Sequence, residues 1–536
     1  MLALRAALPL ALAATALAQG APAPGHRYFG ALSSTDTFLF DSLGNTIHTW
    51  PSPERPGTGV DLGPDGKLYR AINFFATINI PGAGGAIQRI RFDGVEDWRY
   101  IHTGPGFTQH HDIEVMPTGN VLLIAWETKT AAEAIAAGRD PSLLPNGVFR
   151  PDYIAEVQPT GPNSGQIVWE WHVWDHLIQD FDQAQGNFGS VGAHPELADI
   201  NYPPTPADDV DFNHGNGIDY DPIHDWIVFS SRQQNEIWII DHSTTTAEAA
   251  GHTGGRWGRG GDILYRWGNP EAYRAGTPAD RQLGLQHDPR FIPTGYPGAG
   301  NITIFNNNAA TNRSAVVEIA LPTDPVGNFV VGPNGRFGPT APVWSYSAPT
   351  FFSGFISGAE RLPNGNTLIC SGAQQWVFEV TPAGQIVWSQ TMPGQGSIVF
   401  HAHYTERTMF ARQSTLSATN GGTMAFDLLT GAAQAGNAYI LLGSASGTAP
   451  GLQYLGKVLP LNPDSFMLAT IQVANSTALP RSLGNLPASG TVALSMTIPG
   501  GVLPPGLDLD FACAVLDFRS SLPTIMSNAV RVSLVQ

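Results

Sequence analysis

The residues of this chain best suited to chemistry are histidines. Fifteen occur in 536 residues, and several share one position in a repeated phrase. The phrase is an apolar stretch, a proline in a Gly/Asn/Asp turn, then an apolar run. Its prolines are Pro64, Pro117, Pro222, Pro293 and Pro363, and six residues before them stand Thr58, His111, Asn216, His287 and Ser357. His214 lies two residues before Asn216, on the same face of an extended strand. Arg232 closes the third phrase (SSR), and Arg313 follows the run Asn306-Asn307-Asn308. A neutral imidazole is a base, nucleophile or metal ligand, and an imidazolium donates to anions. Guanidinium forks match tetrahedral oxyanions. A cluster of these groups predicts chemistry on an anionic tetrahedral centre.

Other chemistries lack their residues. No second carboxylate pairs with Glu114 as a glycosidase dyad would need. No Gly-x-Ser-x-Gly elbow occurs. The loop GHTGGRWGRGGD, 251–262, lacks the Lys-Ser/Thr of a phosphate loop and reads as a plain loop. The two cysteines, Cys370 and Cys513, fall in different predicted domains, so free thiols are expected. No metal ligand and no cofactor is assigned.

The elements that must carry the histidines are strands. Each proline phrase reads as a hairpin with its turn chemistry written out. A second phrase runs from a turn glycine to a tryptophan, at Trp50, Trp98, Trp169, Trp267, Trp344 and Trp388, with a Gly-to-Trp offset of four or six. Hairpin plus Trp phrase makes a four-stranded unit, and such units in series make a β-propeller. The Trp50 phrase lacks a hairpin phrase before it, and 398–410 lacks a Trp phrase after it. The expected fold is therefore all-β: a six-bladed β-propeller over 19–412, five blades whole and one shared by 36–50 and 398–410. A small C-terminal β-sandwich is expected over 413–536, where charge thins out and short apolar runs alternate with turns.

Composition adds limits. Sixty glycines and 43 prolines suit a turn-rich β protein, and a net charge of −17 argues against nucleic-acid binding. Residues 1–18, with Arg5, an apolar run and Ala16-Leu17-Ala18, read as a secretory signal cut before Gln19. No later stretch reads as a membrane span, so an exported protein, periplasmic or extracellular, is expected.

Several runs resemble one known family in order. They are DFNHGNGIDYDPIHDWIVFSSRQQNEIWIIDH, then ILYRWGNP, LGLQHDPRFIP, NITIFNNN, RLPNGNTLI and EVTPAGQIVW. Together they resemble bacterial aryl-sulfate sulfotransferases over about residues 100–400. The resemblance implies a six-bladed propeller and sulfuryl transfer from an aryl sulfate ester to a phenol, with no nucleotide sulfate donor. It implies His214 and His287 as catalytic residues, with His111, Asn216, Arg232, Arg313 and His401 binding substrate. In that family the nucleophilic histidine follows the inner hairpin of the fifth whole blade. Here that stretch is CSGAQQWVFEV, with Gln374, Gln375 and Trp376 and no histidine, and VFHAHY places His401 where the family tends to have arginine. Either His401 or His403 takes over, or water attacks directly, or the chemistry differs. Two further readings stay open. One is a non-catalytic propeller binding a ligand or partner at the same mouth. The other is a quinoprotein-like dehydrogenase, for which no clear acidic calcium ligand set is found.

Overall fold

The computed structural model describes residues 20–203, 210–392, 397–517, 519–520 and 522–536. The expected signal over 1–18 lies outside them. The described chain is strand-rich, with curled, propeller-like antiparallel sheets. Among the described residues no helix is long and apolar enough to cross a membrane.

Five sheets are contiguous in sequence and run inside to outside. Their innermost strands are Pro56–Leu62, Phe107–Val115, Gly215–Asp221, His287–Phe291 and Gly358–Arg361. In the second of these sheets a short strand, Thr103–Gly104, lies beyond the inner strand. Each proline of the repeated phrase sits in the turn between the inner strand and the next. Gly119 shows why the turn is glycine-bearing: its φ is +85°, a region closed to most side chains.

The Trp phrases form the outermost strands, Thr46–Trp50, Glu96–Ile101, Ser164–His172, Tyr265–Trp267, Trp344–Tyr346 and Ile386–Thr391. The repeat has a physical reason. Trp98 Nε1 donates to Ser164 O (2.9 Å), Trp169 to Thr244 Oγ1 (3.1 Å), Trp267 to Pro339 O (2.9 Å) and Trp344 to Pro382 O (2.8 Å). These four indoles therefore bolt their sheets to the ones that follow, whereas the Trp50 and Trp388 N–H groups find no such partner among the described residues. The apolar core lies in the same seams: Tyr69, Ile87 and Trp98 of one sheet pack with Ile113, Val121 and Leu123 of the next.

A sixth sheet joins both ends of the repeat region. Its order is His403–Thr405, His26–Phe29, Thr37–Phe40, Thr46–Trp50. The ends do share one sheet, but the strand paired with His403–Thr405 is His26–Phe29, outside the expected 36–50 segment. That strand, HRYF, is wholly buried yet half polar. Arg27 is held by Glu379, and His26 Nε2 lies 3.0 Å from Leu429 O, so both polar side chains find a partner inside the protein.

Side chains of the inner strands latch each strand to its neighbour's backbone. Asp61 Oδ2 accepts from Val115 N (2.9 Å), Asp112 Oδ2 from Ile218 N (3.1 Å), and Asp219 Oδ2 from Phe291 N (2.6 Å). Asp288 Oδ2 accepts from Ala359 N (3.1 Å), and Glu360 from Tyr404 N. The last link returns to the start, where His401 Nε2 accepts from Val60 N (3.1 Å). Six side chains, five of them carboxylates, thus tie the six innermost segments in sequence.

Beyond residue 408 the described chain forms two larger sheets and a two-stranded one, Leu452–Tyr454 with Lys457–Leu459. Met409–Ala411 pairs with Gly421–Leu429, which pairs with Thr491–Pro499. The other larger sheet centres on Asp508–Leu516. Phe426, Leu428, Leu441, Leu494, Phe511, Cys513 and Val532 pack between them. The strand Met409–Ala411, assigned before residue 413 from composition, pairs in this C-terminal region. Cys370 and Cys513 are both free and buried.

Candidate functional site

The inner strands kink just where the chemical residues fall. His111 (φ +49°), His214 (+51°), Asp288 (+50°) and Ser357 (+91°) occupy the left-handed region. Register shifts accompany them in three of the sheets, beside His111, Asn216 and Asp288. Such residues cost of order 1–3 kcal/mol each and cluster at functional sites. The kinks turn His111 and His214 together: their rings lie 4.6 Å apart between centroids. Gly82, at φ +93°, closes over His111, where a Cβ would come within 2.4 Å of the imidazole.

Two carboxylates anchor this pair from behind. Asp211 Oδ2 accepts the hydrogen bond of His214 Nδ1–H (2.6 Å) and Asp211 Oδ1 accepts from Trp126 Nε1 (2.9 Å). His214 Nε2 then carries a lone pair, and it has no protein partner among the described residues. The His214 side chain is 15% exposed. His111 has a longer support. Its Nδ1 lies 2.8 Å from Nδ1 of His110, whose Nε2 lies 3.2 Å from Asp152 Oδ1, too poorly aligned for a good hydrogen bond. With the proton of His110 on the Asp152 side, His111 Nδ1 is the donor and its Nε2 is also a lone pair. Trp126 joins the two supports, stacking on His110 at 3.8 Å while donating to Asp211.

Electrostatics keep His111 and His287 neutral. Burial, with His214, His110, His287 and the Arg232 charge adding, holds His111 well below the usual histidine range. Burial and then Arg232 lower His287 to about 3. Burial alone would raise Asp211, but His214, its hydrogen bond, His110 and the Trp126 donor bring it below the ordinary carboxylate value. Burial raises Asp152 against the pull of His110.

The sequence-derived residues separate into two groups. His111, His214 and His287 come together, and Arg232 is close enough for its charge to act on His111 and His287. Phe400 touches both His111 (6.1 Å) and His287 (6.4 Å). His287, however, has both nitrogens engaged: Nδ1 bonds Asn307 Oδ1 (2.8 Å), and Nε2 accepts from Ile356 N (3.2 Å). Asn216 is sealed, donating to Gln286 O (2.9 Å). Arg313 is exposed, opposite Ala310 in a hairpin, with no hydrogen bond or ion pair to the histidines. His401, expected to bind substrate, has a side chain 0% exposed, and its Nε2 accepts from Val60 N. His403 is also buried, 3.4 Å from Arg290 and Glu360. Sequence reading missed Asp211, Asp152 and His110. Asp211 stands three residues before His214 in DFNH and could have been found there; Asp152 carries no such local signal.

The family model described as arylsulfotransferase (ASST) matches residues 100–412. The chain belongs to that family. No curated protein matches it. Among solved structures, a protein of unknown function from Bacteroides caccae is similar at 12% identity and TM-score 0.40, covering 72% of this chain and 100% of that one. Virginiamycin B lyase from Staphylococcus aureus is similar at 12% identity and TM-score 0.34, covering 71% and 87%. A putative 6-phosphogluconolactonase from Bacteroides fragilis reaches 13% identity and TM-score 0.35, covering 72% and 98%. Likenesses this distant carry no argument about chemistry.

In this arylsulfotransferase-family chain, the latch carboxylates surround one cation, Arg290. Its Nε lies 2.9 Å from Asp288 and its Nη1 lies 2.9 Å from Glu114 and 3.3 Å from Asp219. Burial raises Asp219 to about 7 and Glu360 to about 8, while Arg290 is held well above its usual value despite burial. Asp112, Asp288 and His401 offer ligand atoms within 4.8 Å of one another, a spacing a metal ion could use. The hydrogen bonds oppose that. Val60 N–H occupies His401 Nε2, so the proton is on Nδ1, and Arg290 already supplies positive charge to Asp288.

Proposed function

We propose that this chain is a six-bladed propeller, closed through His26–Phe29, with a C-terminal β-sandwich from about residue 409, and that it is exported by a signal over 1–18. Its activity on this reading is transfer of a sulfuryl group from a phenolic sulfate ester to a phenol, without a nucleotide sulfate donor. The observation that carries the chemical part is the 2.6 Å bond from His214 to Asp211, which leaves His214 Nε2 free with its lone pair forward.

His214 is the nucleophile in this reading. Its Nε2 forms a bond to sulfur as the sulfur–aryl oxygen bond breaks, and the phenolate leaves with the electron pair. In the second half, an acceptor phenol oxygen attacks sulfur, gives its proton to His111 Nε2, and frees His214. That proton is available to the next leaving phenolate. Charge spreads over three sulfuryl oxygens, as in phosphoryl transfer, and the Arg232 guanidinium is the nearby cation to receive it. His287, tied to Asn307 and Ile356, supports the wall rather than moving a proton. Asp211 acts through His214, fixing its tautomer as carboxylates do in hydrolase triads.

The test is acid or base quenching during turnover of a chromogenic aryl sulfate, with peptide mapping of the chain. The added SO₃ is expected on the peptide holding His214. Finding it on the peptide with His401 and His403 overturns the assignment. The binding-only reading retains one observation: the stretch where the family carries its nucleophile holds Gln374, Gln375 and Trp376, and Gln374 is spent on Thr350 O and Ser371. Neither phenol release nor any adduct would favour it.

A further inference from the structure

The glycine-rich loop 251–262, left without a role by the chemistry above, meets an uncommitted pair of histidines. His252 and Asp262 lie at its two ends, and His176 comes from a short 3₁₀ turn, Val173–His176, after the outer strand Ser164–His172. His252 Nδ1 is 2.7 Å from Asp262 Oδ1, and His176 Nδ1 is 3.1 Å from the same oxygen. The three ligand atoms all lie within 4.8 Å of one another.

The tautomer of His176 is fixed by its other side. Nε2 is 2.8 Å from Ala249 O, a pure acceptor, so that nitrogen carries the proton. Nδ1 is then a lone pair aimed at a carboxylate oxygen. Two acceptors at that distance repel unless a proton or a cation lies between them. A ring N–H given to a backbone carbonyl, leaving the opposite nitrogen's lone pair for an ion, is the support pattern of metal-ligating histidine. The ring is also locked in place. Trp171 lies parallel to it at 5.6 Å, 10° between planes, and bonds Gly261 O at 2.7 Å. Gly261 has no room for a Cβ, which would lie 2.6 Å from His176 Nε2. His176 and Asp262 are buried or nearly so, and His252 is 60% exposed, so the group opens to solvent on one side.

We propose that His176 Nδ1, His252 Nδ1 and Asp262 Oδ1 bind one divalent transition-metal ion, zinc by ligand type, with a water in the fourth position. Two imidazoles and one carboxylate suit zinc, whose bonds to such donors run roughly 2.0–2.2 Å, and three donor atoms within 4.8 Å of one another can close on one ion. The ion would staple both ends of loop 251–262 to the Trp171 wall. The loop needs such a staple. Gly254, Gly255, Gly258 and Gly260 all have positive φ, and glycine loses the most freedom on ordering. This site is separate from the His111–His214 pair and does not depend on the sulfuryl-transfer reading.

The test uses the full chain, stripped with a chelator and titrated with zinc against a chromophoric competitor. Wild type is expected to bind about one zinc per chain at this site. H252A, whose side chain is mostly exposed, is expected to fold normally and to lose affinity at least about 10–100-fold. D262N is expected to do the same, with faster proteolysis in 251–262 for both. If wild type binds no zinc, the proposal is overturned. If H252A binds as tightly as wild type, the ion sits elsewhere and the proposal is equally overturned.

Discussion

Two levels of the same inner strands show opposite uses of polar groups. At the level of Asp61, Asp112, Asp219, Asp288, Glu360 and His401, each side chain is consumed by the backbone of the neighbouring strand, and Arg290 fills the centre. A few residues earlier on the strands, His111 and His214 have supports behind them and free nitrogens ahead. Both levels are largely buried, but the valences left over differ. Chemistry needs a group that is held yet unfinished, and only the histidine level offers that.

Removing either member of this contrast should have different effects. His214→Ala is expected to lower aryl sulfate turnover at least about 10²–10⁴-fold and abolish the SO₃ adduct, with thermal stability little changed. A variant that loses turnover only by unfolding would erase the distinction between levels. Arg290→Met should do the reverse. It leaves Asp288, Glu114 and Asp219 without their cation, a loss of roughly 3–5 kcal/mol in a denaturant titration. Near-normal stability would mean that the carboxylates are carried by backbone donors alone.

Asp211→Asn sharpens the comparison further, because it alters tautomer and charge but little volume. A fall of about 10²-fold in kcat with KM near wild type is expected. Equal loss in KM would instead make Asp211 a substrate-shaping residue. The smallest effect concerns Glu360, which burial lifts from 4.5 to about 8. The fold holds this proton more tightly than the unfolded chain does. Its contribution is therefore full below about pH 4.5 and lost as pH rises toward 8. Glu360→Gln should flatten that part of the stability curve by up to about 1.4 kcal/mol per pH unit, read from chemical denaturation across pH. An unchanged slope would show that Glu360 is ionised in the fold.

The repeat was legible because turn chemistry and the indole bolts are local in sequence. Proline phrases marked the inner turns, Trp phrases the outer strands, and a fixed offset from the prolines gathered His111 and His287, with His214 two residues above the equivalent Asn216. What escaped depends on other strands. His26–Phe29 reads as polar until Glu379 and Leu429 are seen to meet it. His401 reads as a free imidazole until Val60 N–H is placed against it. Asp152 supports His110 from a strand with no histidine of its own. Offsets reveal which residues share a level. They do not reveal which of their valences the neighbouring strand has taken.

The sheet that joins early and late strands also sets a timetable. His26–Phe29 pairs early with Thr37–Phe40 but finds its second partner only when His403–Thr405 exists, and His26 bonds Leu429, a residue 403 positions away. Contacts of such long range carry the largest loop-closure entropy and tend to form late. During synthesis the first strands must wait with an unpaired edge, a condition that invites association with other chains. The yield of native protein should therefore depend on how well the nascent amino-terminal strands are shielded until the last inner strand arrives.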